Sequence, residues 1–303
     1  MISIGGRSNL KLMPSAAGAE AATRAELVTG PRYLELATTL LQRMRRKHPT
    51  GGIWEAADVQ WWSRGDQVDR DGHLFWLDER GEPVAAVMLS SFANSTQCDV
   101  LLLPDDPGFA RSVWQAAIRR STEGGKNPEF PVRLDDTIGI AQLTAAGLCP
   151  SNEPDIVTCW LDSDDRPRVP PLPAGYGLVA RADAQDGPHP MIPRNGPHVE
   201  ERLRQCSLYR PALDLSVTAP DGQTAGYGLF WPDPITQVGL VEPMRTEQAH
   251  EGRGIASHLL AEGLARLAAH GCRRLKVSND IGIYLRAGFR PLSGATAAVY
   301  TRP

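Results

Sequence analysis

The strongest constraint on what this chain can fold into is that parts of it occur twice at one interval. An acidic turn closed by Gly81 runs into the apolar EPVAAVML, and a similar turn closed by Gly222 runs into QTAGYGLF. Farther on, TIGIAQLTAAGL around Gly147 is echoed by DIGIYLRAGF around Gly288, and Gly147 lies as far before Gly288 as Gly81 does before Gly222. A repeat of that length is a small domain rather than a solenoid unit, so the chain reads as two copies of one fold. Between the anchors the copies share an apolar strand, residues 100–103 against 238–241, and a helix, residues 111–120 against 255–269. Residues 162–175, DSDDRPRVPPLPAG, combine charge with repeated proline and read as the linker. The expected division is a disordered tail over 1–24, a first domain over 25–165 and a second over 166–303.

In the second copy, residues 237–256 read QVGLVEPMRTEQAHEGRGIA: an apolar strand, then Glu242 and Pro243, then a turn with Gly252, Arg253 and Gly254. An amphipathic helix follows at once, with Ile255, Leu259, Leu260, Leu264 and Leu267 at helical spacing, His258, Glu262, Arg266 and His270 opposite, and Gly271 as its stop. The first amides of a helix have no partner within it and sit at the positive end of its dipole, so an anion is welcome there. Glycines at 252 and 254 leave the backbone bare enough for a bulky pyrophosphate to approach.

Downstream come a short strand over 273–277, then Asn279, Tyr284, Gly288 and Phe289. Together these residues resemble the GNAT superfamily of acetyl-CoA-dependent N-acetyltransferases over about the last 130 residues. The family's loop Q/R-x-x-G-x-G/A is matched by Glu251, Gly252, Arg253, Gly254, Ile255 and Ala256, with Glu in place of the usual Gln or Arg. Its later Asn and Tyr-x-x-x-Gly-Phe are matched by Asn279 and by Tyr284 to Phe289, with an interval from Asn279 to Tyr284 about two residues shorter than usual.

The resemblance implies an α/β (α+β) fold of two tandem GNAT-like domains, each a mixed, mostly antiparallel sheet flanked by helices. It implies acetyl-CoA as co-substrate, held by Met244, Glu251, Gly252, Arg253, Gly254, Ile255, Ala256 and Asn279, and a small-molecule amine as acceptor. An ammonium must lose a proton before attacking a thioester, and Glu242 stands where the family keeps a carboxylate base. The amide of Met244 is the implied donor to the oxyanion. Tyr284 is the implied acid for the departing thiolate, since a phenol near 10 stays protonated at neutral pH. The segment 183–197 is too rich in Pro and Gly for a helix, a short helix is expected over 198–209, and this region should shape the acceptor site. Its His189 and His198 are candidates there, although exposed loop histidines are the commoner case.

The first copy has lost these features. Pro104-Asp-Asp-Pro-Gly108 puts carboxylates where a phosphate would sit, and Leu143 takes the place of Tyr284. Its helix over 31–47 ends in the basic run Arg43, Arg45, Arg46, Lys47, which suits a solvated C-terminal turn. Trp54, Trp61, Trp62 and Trp76 read as core between sheet and helices. A structural or substrate-shaping role is expected for this half.

Composition narrows the classes further. A formal charge of -3 and a pI near 6.2 give no general pull toward nucleic acid or membrane, and no such partner is expected. No run approaches the roughly 18 apolar residues of a membrane span, and the first segment lacks the apolar core of a signal peptide. Five scattered cysteines without a CxxC pair fit reduced thiols in a cytoplasm, and no HExxH or His-Cys cluster points to a metal. Two other readings compete. A non-catalytic tandem module would bind acyl-CoA or a partner without turnover. A dinucleotide oxidoreductase fails because Ser257 stands where a third glycine is needed and no acidic residue closes the following strand near 273. Oligomeric state is open.

Overall fold

The computed structural model describes residues 23–62, 72–92, 94–123, 125–184 and 187–303. The expected disordered tail lies outside these apart from its last two residues. Strand β1 (Arg24–Val28) opens the first half. Helices α1 (Pro31–Lys47) and α2 (Ala56–Trp62) follow, then β2 (His73–Leu77), β3 (Pro83–Ser91) and β4 (Ser95–Leu102). Helix α3 (Pro107–Thr122), β5 (Asn127–Arg133), α4 (Thr137–Ala145), β6 (Cys149–Pro150) and β7 (Ile156–Asp162) complete it. The second half repeats the order: β8 (Gly177–Ala180), α5 (Ile192–Asn195), α6 (Val199–Arg204), β9 (Asp214–Thr218), β10 (Thr224–Asp233) and β11 (Val238–Thr246). Helix α7 (Ile255–Ala269), β12 (Arg274–Val277), α8 (Gly282–Arg286) and β13 (Arg290–Thr301) end the chain.

Among the described residues all strands join one sheet, in the order β1-β2-β3-β4-β5-β13-β7-β12-β11-β10-β9-β8, with β6 on β13. Pairing is antiparallel except for β4 with β5 and β11 with β12. The halves exchange their last strands. β13 lies against β5, with Ala297 opposite Arg133, while β7 lies against β12, with Leu275 opposite Leu161. Each half thus completes the sheet of the other, and their two-fold relation passes where Ala297 meets Ile156. The linker therefore joins two copies whose sheets are already continuous.

Helices cover both faces. On one face α1 and α2 share a single core with the α5–α6 region, where Leu40, Trp61, Leu203, Tyr209 and Trp231 are buried together. On the other face α3 and α4 pack over β3–β5, and α7 and α8 over β9–β12, as two separate cores. Helix α7 buries Ile255, Leu259, Leu260, Leu264 and Leu267, each at most 1% exposed, as the 3.6-residue spacing requires. It stops at Gly271 (φ 86°), where Cys272 N–H reaches back to Leu267 O at 3.1 Å in a left-handed C-terminal turn. Gly263 lets it lie close on β10: a Cβ there would fall 2.1 Å from the Phe230 ring. Although alanine favours helix by ~1 kcal/mol, Gly263→Ala should destabilise by about 1–3 kcal/mol through overpacking. A thermal melt as high as wild type would show instead that Phe230 has room to move.

Where the halves meet, a buried charge cluster forms. Lys276 of β12, 0% exposed, places Nζ 3.1 Å from Glu55 and 4.0 Å from Asp58, and donates to Ile53 O. Arg45 closes on Glu55 from α1 and lies 4.8 Å from the centre of the Trp160 ring. Arg45 is thus 4% exposed, so the basic end of α1 is not wholly solvated as expected. Its guanidinium also takes up Gly51 O at 2.6 Å and His48 O at 3.2 Å, which holds the loop after α1 in place. Burial raises the Asp58 carboxyl, to about 6, whereas at Glu55 the same burial is outweighed by Arg45 and Lys276.

Candidate active site

In both halves the two parallel strands pair briefly and then part. The β11–β12 pairing ends at Leu240 with Lys276, while β11 runs on to Thr246. Glu242, Pro243 and Met244 therefore border a gap between strands, each half-buried. Opposite Leu229 of β10 the strand β11 carries both Glu242 and Pro243, a bulge of the kind that re-aims side chains. The Trp231 indole fixes this point by donating to Glu242 O at 2.6 Å.

Tyr284 reaches the same region from α8. It is 6% exposed and packs edge-on to Phe289. Burial, reinforced by the nearby Glu242 carboxylate, pushes its phenol up to about 12. The raised value keeps Tyr284 protonated at any ordinary pH.

The entrance to α7 is left open by its own residues. Gly252 (φ 72°) and Gly254 (φ 80°) are left-handed, and a Cβ at either would meet open space. No side chain caps the helix, so its first amides are not satisfied from within the protein's own side chains. Glu251, Gly252, Arg253 and Gly254 are exposed, Ala256 is half-buried, and Ile255 anchors the turn in the core. Asn279 is exposed just past β12, where its side-chain carbonyl accepts from Ile281 N–H at 3.2 Å. The amide nitrogen of that side chain remains a donor.

The equivalent helix of the first half is closed by its own residues. Asp106 caps α3, accepting from Phe109 N–H at 2.5 Å, and Asp105 binds Lys47 at 2.6 Å. Leu143 is fully buried in the α3–α4 core. Neither an open cradle nor a phenol occurs there.

Two expectations need correction. His189 is not a solvent-exposed loop residue: its side chain is 0% exposed, with Nε2 at 2.7 Å from Asp214 and Nδ1 accepting from Met191 N–H. Tyr209 donates to the same carboxylate at 2.7 Å. This buried trio pins the Pro-rich segment to β9, and a one-turn helix, α5, forms within that segment despite its composition, while α6 is shorter than expected. His198 is exposed beside Glu201.

The other feature not foreseen is in the first half. Counting from the first residue paired to the parallel neighbour, Ser95 in β4 and Val238 in β11, the fifth position is Asp99 in one and Glu242 in the other. Asp99 is 3% exposed and borders a cavity of about 610 Å³. Neither Glu242 nor the α7 entrance lines that cavity. Burial pushes the Asp99 carboxyl from its ordinary 3.8 up to about 6. The fold is thus favoured below about pH 4 and loses that advantage as pH rises to about 6. Asp99→Asn should gain about 1–3 kcal/mol at pH 7 and little at pH 3. Melts across pH test this, and an equal shift at both values would refute it.

Comparison with known proteins fits this architecture. Residues 183–289 match the acetyltransferase (GNAT) family. No curated protein sequence matches the chain. Among solved structures, a tandem GNAT protein from the clavulanic acid biosynthesis pathway superimposes with a TM-score of 0.65 at 18% identity, over 92% of this chain and 98% of that one. A GCN5-related N-acetyltransferase from Sphaerobacter thermophilus does so with a TM-score of 0.58 at 17% identity, over 93% and 96%. At such identities the likeness is one of fold. The whole chain is therefore built on the fold of a tandem GNAT protein, and the stretch that matches the acetyltransferase (GNAT) family falls in its second half, where it takes in the open α7 entrance and the parted strands.

Proposed function

We propose that the protein transfers an acetyl group from acetyl-CoA to a primary amine of a small molecule, using the second half alone. The observation that carries this is the contrast between two equivalent helix entrances, one plugged by Asp106 and the other left bare by Gly252 and Gly254. A pyrophosphate fits the bare one, because no side chain competes for its amides and no Cβ fills the space in front of them. Arg253, exposed on the same turn, adds positive charge that offsets Glu251, while Arg245 faces Glu247 at 3.8 Å. Asn279 and the backbone from Met244 to Ala256 complete the hold on the nucleotide and its arm.

Bound acetyl-CoA supplies an activated acyl carbonyl. Glu242, at the mouth of the gap, takes the proton from the incoming ammonium, directly or through water. The amide of Met244, just past the bulge, donates to the carbonyl oxygen as it gains charge. Tyr284 gives its phenolic proton to the departing sulfur, for which a protonated group is needed at working pH. Residues 25–165 act as a copy without this chemistry and 166–303 carry it. The five cysteines are thiols, which fits a reducing cytoplasm. Among the described residues no helix is long and apolar enough to cross a membrane.

The test is release of free CoA thiol from acetyl-CoA across a panel of amines, beside calorimetry with CoA. Binding without thiol release for any amine would favour a non-catalytic acyl-CoA module. Gly254→Val puts a branched side chain both into a left-handed turn and into the phosphate's space. It should weaken CoA at least about tenfold. Unchanged affinity would move the nucleotide away from α7.

A further inference from the structure

The cavity of about 610 Å³ in the first half lies where β4 continues past its last pair with β5, between Gln97 and Glu129. Asp99 borders it. Its Oδ1 accepts from the Trp54 indole at 2.8 Å and from Gln97 at 3.0 Å, while Oδ2, among the described residues, takes only the Gln97 amide, at 2.9 Å. A carboxylate oxygen has room for two donors, so Oδ2 has capacity left. Trp114 also lines the cavity, and among the described residues its indole N–H has no partner although the residue is 2% exposed. A buried donor and a buried acceptor thus both fall short of full satisfaction at one cavity, which ordinary packing avoids.

The charges around the cavity are uneven. Arg45 is matched by Glu55 and Arg133 by Asp135, and Asp136 is engaged in capping α4 through Gly139 N–H. Among the described residues no cation forms an ion pair with Asp99. A carboxylate held 3% exposed without a counter-charge is costly, and an incoming cation would relieve that cost. Leu41, Met44, Ile53 and the Trp54 face give the same cavity an apolar wall. The nearby helix entrance is closed to phosphate by Asp106.

We propose that this cavity is a second ligand site, taking a small organic ammonium whose charge meets Asp99 and whose apolar part lies along Leu41, Met44 and Trp54. The site is independent of the reaction assigned to the second half. The two halves would then each direct a carboxylate, Asp99 or Glu242, at the gap between their parallel strands, one to hold an amine and the other to deprotonate it.

Calorimetry on the intact protein tests the site, with phenethylamine as probe and 2-phenylethanol as its neutral counterpart. The amine should bind at least about tenfold more tightly than the alcohol. Asp99→Asn should weaken the amine by about ten- to a hundredfold and leave the alcohol nearly unchanged. Met44→Trp, which fills the cavity from α1, should remove both. Saturating CoA, which has no acetyl group to transfer to the probe, should leave the Asp99-dependent binding in place. The site is overturned by any of four results: no binding of amine to wild type, equal affinity for amine and alcohol, amine affinity and stoichiometry left unchanged by both substitutions, or displacement by CoA, which would mark the cavity as a second CoA slot.

Discussion

Glu242→Gln should slow acetyl transfer by about a hundredfold or more while the affinity for acetyl-CoA stays within about twofold. Glutamine keeps the shape of the side chain at the bulge and the Trp231 bond to the backbone carbonyl, but it cannot accept a proton from the ammonium. The loss should shrink as pH rises toward the acceptor's own pKa, because an amine already neutral needs no base. Tyr284→Phe should slow the reaction less, by about tenfold, since solvent can reprotonate a thiolate. Steady-state thiol release across pH reads both effects. In Glu242→Gln the Tyr284 phenol should also titrate below its present value of about 12, because part of that rise comes from the carboxylate beside it. A phenol unmoved in the variant, together with unchanged turnover, would separate the two residues and remove the assignment of base and acid.

The second large effect is on stability. Lys276→Met should destabilise the protein by about 3–5 kcal/mol at neutral pH, although methionine fills much the same volume. The ammonium is the ion-pair partner of Asp58 and the second partner of Glu55, and both carboxylates are buried. Without it, Asp58 retains a single donor among the described residues, the Glu55 backbone N–H at 2.7 Å. Adding Asp58→Asn should restore about half of the loss by removing the stranded charge, a coupling that a double-mutant cycle measures. Denaturant melts of the four proteins suffice. A cycle that is additive within about 0.5 kcal/mol would mean that Lys276 stabilises through packing on Trp160 and not through charge.

Some of this was legible before any coordinates. Helices α1 and α7 run over the residues that their periodicity dictates, and the bare turn at Gly252 and Gly254 follows from glycine's unique tolerance of a left-handed backbone. The carboxylates at Asp105 and Asp106 and the leucine at 143 likewise marked the first half as lacking a cradle and a phenol, but that Asp106 caps α3 and that Leu143 is fully buried became visible only in the structure. Features set by distant partners were not legible. The offset that relates Gly81 to Gly222 places Leu101, not Asp99, opposite Glu242, because the copies drift out of step between β3 and β4. Arg45 looked like part of a solvated basic run, and only the approach of Glu55 and Trp160 takes it inside. His189 looked exposed because proline and glycine surround it, yet Asp214 and Tyr209 draw it into the core. Arg133 of β5 finds its partner at Ala297, with nearly the whole second half in between, beyond the reach of any local pattern.

That last pairing has a consequence for biosynthesis. While the ribosome is still extending the chain, the first half emerges with the outer edge of β5 exposed, and it must wait for the closing strand, Arg290–Thr301, to cover it. A nascent chain that stalls before β13 would therefore lose not only that strand but the integrity of the half made first. The soundness of the first half is thus decided only once β13 has been made.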